Sequence, residues 1–316
     1  NMDADIEIKN DTAMKEHKKD RKDILDESIV TSIKDLDGVL EVHPVVFAEI
    51  TVPWEPDFSD MWMKEFYEKW LTVPYSQEKE EYQNHPENFG SSLIGIDEQK
   101  FDFLNENLEQ PINKEEFLSG KTCIIYRNGL DLSNSDLIGS KVTCALHSDK
   151  QVTQTFTIGG VTDESYYTAI LGYPPTIITS DQVVKNFANE SITLKIGVKY
   201  TKEYDRNIEK EILKLLEANG KEKDLSWDSK IEEADEIKNA QGYMPQIGMG
   251  IVLILAFIGI MNYINTFVAN VQNRMTEFSI MESIGMTPRQ LLLMLIKEGI
   301  LYAEGAWMVT LTVGLG

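Results

Sequence analysis

Histidine and cysteine are scarce in this 316-residue chain, with four of the first and two of the second. His17, His43, His85 and His147 are scattered, form no His-Glu-x-x-His pair and combine with no cysteine at a spacing that suits zinc. Two cysteines are also too few to staple a scaffold. Basic charge is short as well: 30 Lys+Arg stand against 52 Asp+Glu, a formal net charge of −22. That excess excludes a nucleic-acid partner, because phosphate would be repelled rather than neutralised. It also disfavours docking of the bulk of the chain on anionic lipid. No Gly-x-Ser-x-Gly elbow is present. Gly120-Lys121-Thr122 is Walker-like, but Glu115 stands where the phosphate-cradling loop needs glycine. Nucleotide hydrolysis therefore belongs to another chain, and no catalytic residue, cofactor or metal ligand is assigned. The opening residues are polar, and no signal-peptide pattern follows Asn1.

What the chain does have is divided between two solvents. At roughly 150 residues per domain, its length suggests about two domains. From Gly248 to Gly316 the chain holds three basic residues and four acidic ones, so −21 of the −22 lies in the first 247 residues. No charge occurs between Lys238 and Arg274. Within that gap Gly248–Val271 is apolar for 24 residues, enough to cross a hydrocarbon core of about 30 Å with some tilt. Asn262 and Asn265 share one face of this helix, as partners for another helix or as groups near the interface. After a polar stretch, Gln272–Gln290, apolar residues return over 291–316, interrupted by Lys297, Glu298 and Glu304. This last run is expected to be the start of a further span, in a piece of a longer membrane protein. Flanking charge does not orient the span, because Lys230 and Lys238 precede it while Arg274 and Arg289 follow it.

Residues 1–247 carry an α+β pattern. Asp5–Lys9 alternates as a short strand, and Lys18–Lys34 reads as a helix with Leu25, Ile29 and Ile33 on one face. Val39–Val52 reads as a strand in which Pro44 marks an edge or a bulge. Ser191–Tyr200 alternates again, and Tyr204–Asn219 is an amphipathic helix ended by Gly220. Thr122–Tyr126, Lys141–Leu146 and Thr155–Val161 are further strands. The simplest architecture is a split β–α–β domain with a β-rich insertion at about 91–190.

Cys123 and Cys144 both fall in strands, as a cross-strand pair in an oxidising compartment or as buried thiols. In residues 54–90, Trp54, Phe58, Trp62, Phe66 and Trp70 recur every four residues and form one sloping helical stripe. Such a stripe is a surface for a peptide, amphiphile or partner protein, or it packs the helix onto its own domain. Tyr166, Tyr167 and Tyr173, ahead of Pro174-Pro175, read as a surface loop.

The region from the span to the second apolar run resembles the FtsX-like permeases, the family that includes MacB-type ABC exporters. Arg274 and Glu277 stand at that family's basic and acidic positions after the span. Gly285-Met286 matches its Gly-Met turn, Arg289-Gln290 the polar pair that follows, and Glu298 the acid of the next helix. Thr276, Ser279 and Ser283 depart from its usual residues without disturbing the spacing. The earlier part is similar to the MacB-like extracytoplasmic domain at Leu36–Val39, Val42–Pro44, Leu93–Phe103 and Phe156–Val161. The resemblance implies a porter-like extracytoplasmic domain over 1–245, a transmembrane helix over 246–271, a cytoplasmic coupling segment over 272–290 and a further span over 291–316. It places the protein in the cell membrane as a multi-pass chain.

In function, the resemblance implies a permease subunit of an ABC-type exporter, with a separate ABC ATPase and a second permease copy, identical or not, as partners in the bilayer. Arg274, Glu277, Phe278, Met281, Glu282, Gly285, Met286 and Arg289 are the candidates for ATPase coupling, with Phe278, Met281 and Ile284 as an apolar face that must be buried. Trp54, Phe58, Trp62, Phe66 and Trp70 are the candidate substrate or partner surface. The cargo would be a peptide, a lipid-linked compound or a drug-like amphiphile. The alternative is a mechanotransmitting protein that regulates a cell-wall hydrolase or senses peptide antibiotics, with an envelope protein or peptide as partner and no transport.

Overall fold

The computed structural model describes residues 4–15, 18–163, 172–220 and 222–314. The chain divides into two compact units, Asn1–Asp235 and Glu236–Gly316. His17, Tyr166 and Tyr167 lie outside the described residues.

The first unit is built on one nine-stranded sheet. Its strands are β1 (Ile6–Asn10), β2 (Val39–Thr51), β3 (Gly90–Ile96), β4 (Thr122–Tyr126), β5 (Lys141–Leu146), β6 (Asp149–Thr162), β7 (Thr176–Ser180), β8 (Ile192–Tyr200) and β9 (Leu225–Ser229). They lie in the order β3-β7-β4-β6-β5-β2-β8-β1-β9, with β3 also paired to β2. The pairs β3–β7 and β4–β6 are parallel and the others antiparallel. The strands of the expected insertion thus extend the same sheet, with β2 as the strand common to both halves.

Local sequence explains the helices of the outer half, β1–β2–β8–β9. Helix α1 (Glu27–Lys34) starts where the Asp26 carboxylate accepts the Ser28 and Ile29 N–H groups, and it buries Ile29 and Ile33. The expected helix over Lys18–Lys34 is shorter for that reason: a strong cap at Asp26 outcompetes helix further upstream. Later in the chain, α8 (Arg206–Ala218) is capped by Asp205 and buries Ile208, Ile212 and Leu216. Both helices cover Ile6, Ile8, Ile196 and Val198 of β1 and β8. The opposite face of these strands is polar, with Lys195 Nζ 3.0 Å from Glu7 and Lys9 paired to Asp228. Pro44 sits where β2 is paired on one side only, since β3 joins at Val45, and a register shift follows between Val45 and Val46.

The other half is covered on both faces. Five further helices are α2 (Ser59–Glu65), α3 (Lys79–Asn84), α4 (Glu98–Glu106), α5 (Lys114–Leu118) and α6 (Asn134–Leu137), with α7 (Asp181–Phe187) after β7. Phe101 and Leu104 of α4 and Phe117 of α5 pack on Val45, Phe47, Ile94 and Ile124. On the reverse face, Trp62 of α2 and Val184 of α7 pack with Val46, Ile50, Leu93 and Phe156. Gly95 is required by that packing: a Cβ there would lie 2.7 Å from the Asp181 Cα and 2.5 Å from a Val46 methyl carbon. Cys123 and Cys144 are buried free thiols in β4 and β5, which are separated by β6. The cross-strand disulfide is therefore excluded by strand order, and burial pushes both thiols up, Cys144 to about 12.

In the second unit, α9 (Lys230–Asn273) begins just before the unit boundary and continues through the apolar run. Its segment Gly248–Asn273 is, among the described residues, the one helix long and apolar enough to cross a membrane, with none of its most apolar stretch buried by the protein. It is followed by α10 (Met275–Ser283) and α11 (Pro288–Gly314).

Candidate functional site

The sequence points to the short helical elbow between α9 and α11. Arg274 occupies the junction of α9 and α10 in a non-helical conformation, with φ of −104° and ψ of 10°. Its Nε donates to Glu277 at 2.9 Å, and its Nη1 lies 2.8 Å from both carboxylate oxygens of Glu298 on α11. The guanidinium also sits over the Phe278 ring, 5.4 Å from its centroid. One arginine thus ties the end of α9, the first turn of α10 and the middle of α11. A second tie lies further up, where the Tyr263 hydroxyl donates to the Gly299 carbonyl at 2.8 Å. A Cβ at residue 299 would come within 3.2 Å of that hydroxyl oxygen.

The turn from α10 to α11 is specified by its residues. Gly285 has φ of +101°, a left-handed conformation that glycine adopts without strain. Its N–H donates to the Glu282 carbonyl, and the Met286 N–H reaches back to the Met281 carbonyl at 3.0 Å. Thr287 then caps α11: its N–H and hydroxyl both donate to Gln290 Oε1, at 2.9 and 3.0 Å, and Pro288 takes the first helical position. This Thr-Pro-x-Gln cap is a local signal that the family comparison of Gly285-Met286 and Arg289-Gln290 passes over.

The coupling candidates separate into two sets. Arg274 is partly covered and engaged within the unit, and Phe278 is buried. Met281 and Met286 are half-buried, while Glu277, Glu282, Gly285 and Arg289 are exposed. The expected apolar face of Phe278, Met281 and Ile284 is therefore corrected: Phe278 faces inward and Ile284 is 82% exposed. The outward apolar pair is Ile280 and Ile284, one turn apart, with Ile280 59% exposed. Periodicity missed this because Phe278 has a competing attraction, the Arg274 side chain above it.

The aromatic series of the first unit is also divided. Phe58 and Trp62 are buried, Trp54 and Phe66 half-buried, and Trp70 exposed. A continuous exposed stripe is thus overturned. The α-helix ends at Glu65, the chain continues as a π-helical turn over Phe66–Leu71, and the periodicity of four is lost there. Trp62 enters the core of the sheet. The remaining rings build a small core of their own, Tyr67, Tyr75, Tyr82 and Phe89, onto which Tyr173 packs 5.0 Å from Phe89. Tyr173 is therefore not part of a bare surface loop. Asp60 anchors this core by accepting from Trp54 Nε1 at 2.9 Å, the Tyr75 hydroxyl at 2.8 Å and Lys79 at 2.9 Å. Burial would raise its pKa, but these three donors outweigh it and hold the carboxyl below its ordinary range. Burial, with Asp60 as the partner, pushes the Tyr75 hydroxyl well up.

A buried histidine joins the two halves of the sheet. His43 of β2 lies with Nδ1 2.7 Å from Asp97 and Nε2 3.1 Å from Glu41. Asp97 also caps α4 by accepting the Lys100 N–H at 2.9 Å. Burial raises the Asp97 pKa, yet the His43 ring and the Lys100 amide outweigh it, so the carboxyl stays below its ordinary value. No group of three or more metal-ligating side chains occurs among the described residues.

Comparison with known proteins gives matches to solved structures and to one family model. No curated protein matches the chain. Among solved structures, the chain is similar to the periplasmic region of MacB from Actinobacillus actinomycetemcomitans, at 16% identity and a TM-score of 0.42, covering 74% of this chain and 92% of that one. It is also similar to the extracellular domain of YknZ, a noncanonic ABC-type transporter from Gram-positive bacteria, at 13% identity and a TM-score of 0.35, over 64% of this chain and 88% of that one. A family model described as the FtsX-like permease C-terminal region matches residues 249–316, which hold the span, the Arg274 tie and the capped turn.

Proposed function

We propose that this chain is the membrane-spanning permease subunit of an ABC-type exporter, and that a separate ATPase subunit seats the elbow Met275–Gln290. The exposed pair Ile280 and Ile284 carries this reading. Two isoleucines projecting from a helix pinned at both ends form an apolar ridge for a groove, and Glu277, Glu282 and Arg289 beside them supply charged rim contacts. The Arg274–Glu298 and Tyr263–Gly299 ties support a transmitting role, because a push on α10 reaches α9 and α11 together instead of bending the loop. Helix α9 starts at Lys230, within the first unit, so displacement of its far end has a helical route toward that unit. Asn262 and Asn265, exposed on the span, support a second permease copy, since amides in lipid seek hydrogen-bonding partners on another helix.

Ile284→Glu tests the docking. The side chain is 82% exposed, so the variant is expected to fold and insert as the parent does. Co-purification with the ATPase should fall by about tenfold or more, as expected for losing an apolar anchor and burying a charge in its place. Undiminished co-purification and ATPase stimulation in Ile284→Glu would remove the elbow from the interface.

A further inference from the structure

Six strands of the sheet close on themselves: β2 pairs with β3, β3 with β7, β7 with β4, β4 with β6, β6 with β5, and β5 with β2 again. Strands β8, β1 and β9 lie outside that ring and, with α1 and α8, have an apolar core of their own. Helix α9 grows from this outer part with no intervening loop, since Ser229 ends β9 and Lys230 begins the helix. Its first turn is closely bound. The buried Ser229 hydroxyl accepts the Ile231 and Glu232 N–H groups at 3.0 and 3.3 Å and donates to Glu209 of α8 at 2.7 Å. The Lys230 N–H donates to the Asp5 carbonyl at 3.0 Å, and its Nζ lies 3.2 Å from the Asp5 carboxylate, which also accepts the Tyr200 N–H at 2.8 Å. Ile231 is buried with Ile208 and Ile212 of α8.

All these contacts fall within one turn of Ser229, and a rod held at one end swivels. A second attachment lies six residues on, about 9 Å up the helix at roughly 1.5 Å per residue. There Asp235, the last residue of the first unit, accepts from both terminal nitrogens of Arg206, at 2.7 and 2.8 Å. Arg206 is the first residue of α8. The pair lies near the surface, where an ion pair adds little stability. Its two parallel bonds fix orientation as well as distance, because a planar guanidinium meets both carboxylate oxygens at once. Two separated attachments transmit a turning force, whereas one transmits only a pull along the axis.

We propose that Arg206 and Asp235 are positioning residues: their fork stops α9 from swivelling on Ser229, so that a tilt of the helix turns α8 and strands β8, β1 and β9 with it. The closed six-strand ring, whose core clusters are separate, is the part they turn against. The ladder that joins them to the ring, β2–β8, carries register shifts between Val39 and Glu41 and between Val45 and Val46, and Pro44 between the two shifts has no N–H to give. This deepens the permease reading by naming the route of force within the first unit, and it rests on that reading only for what tilts α9.

The first arm of the test uses the full chain in lipid nanodiscs without an ATPase. Nitroxides are placed at the exposed positions of Glu217→Cys on α8 and Lys238→Cys on α9, the native Cys123 and Cys144 being buried. The spread of distances between them should widen by about twofold or more in Asp235→Arg, where two like charges meet, and narrow again in the double variant Arg206→Asp, Asp235→Arg. A spread unchanged in Asp235→Arg, or one that the charge swap leaves wide, would overturn the proposal. The second arm adds the ATPase and pairs Glu217→Cys with Glu115→Cys on α5, also exposed. Nucleotide should shift the α5–α8 distance in the parent and in the swapped variant, and the shift should be lost in Asp235→Arg while ATP hydrolysis persists. A shift that survives in Asp235→Arg, or no shift in a docked parent, would count equally against the turning role. Co-purification with the ATPase, which Ile284→Glu weakens and Asp235→Arg should not, reads docking separately, so a failure of the permease reading is told apart from a failure of the fork.

Discussion

At the scale of single residues, burial and pairing decide what each titratable or reactive group does. Cys123 and Cys144 lie in the core with their thiols pushed up, which makes them packing groups rather than nucleophiles. Asp97 has two roles at once, because it faces His43 and caps α4. A carboxyl held below its ordinary value stabilises the fold above that value, and the contribution is lost as pH falls through the folded-state pKa. Asp97→Asn keeps a good cap but removes the charge opposite His43. It should cost about 2 kcal/mol at neutral pH, and the gap between variant and parent should narrow below about pH 4. Thermal melts across that range read the difference, and a gap that widens in acid would show that the Asp97 charge is not what the fold uses. Glu209 runs the opposite way: burial raises it despite hydrogen bonds from Ser229 at 2.7 Å and Tyr200 at 3.2 Å. Its ionisation therefore costs stability as pH rises through its folded-state value.

The elements show how far local chemistry reaches. Asp26, Asp97 and Asp205 each start a helix by accepting backbone N–H groups, and β2, β4, β5 and β8 fall within two residues of where alternation places them. Three strands, β3, β7 and β9, escaped that reading, and β3 and β7 are buried on both sides, which removes the alternation. The elbow is the element with the clearest consequence. Thr287→Ala deletes the exposed hydroxyl that donates to the Gln290 side chain but keeps the Thr287 N–H bond to the same oxygen, and about 0.5 kcal/mol of the local stability of α11 should go with it. Hydrogen exchange at the amides of Gln290 and Leu291 should then quicken while the first unit is unchanged. Unaltered exchange at those amides would mean that Pro288 alone sets the start of α11.

For the whole molecule, two solvents impose two rules. The first unit buries its own apolar residues in a sheet covered by helices, whereas the span Gly248–Asn273 leaves them bare for lipid. Residues 1–235 expressed without the remainder should stay in solution and unfold cooperatively, since every core cluster of the sheet closes within them. Aggregation of that fragment, or a non-cooperative melt, would show that the second unit completes its core.

The apolar span, the caps and the turn at Gly285 are properties of short stretches, because transfer into lipid and backbone hydrogen bonding near a helix end depend on adjacent residues alone. The sequence by itself therefore determined which run is long and apolar enough to cross a bilayer and where the elbow bends. Tertiary structure alone decided that Trp62 is core while Trp70 is not, that Arg274 reaches Glu298, and that β2 exchanges β8 for β5 at Ala48 and Glu49. Each of those depends on residues tens to hundreds of positions apart being brought together, and no local pattern records which strand or carboxylate will arrive.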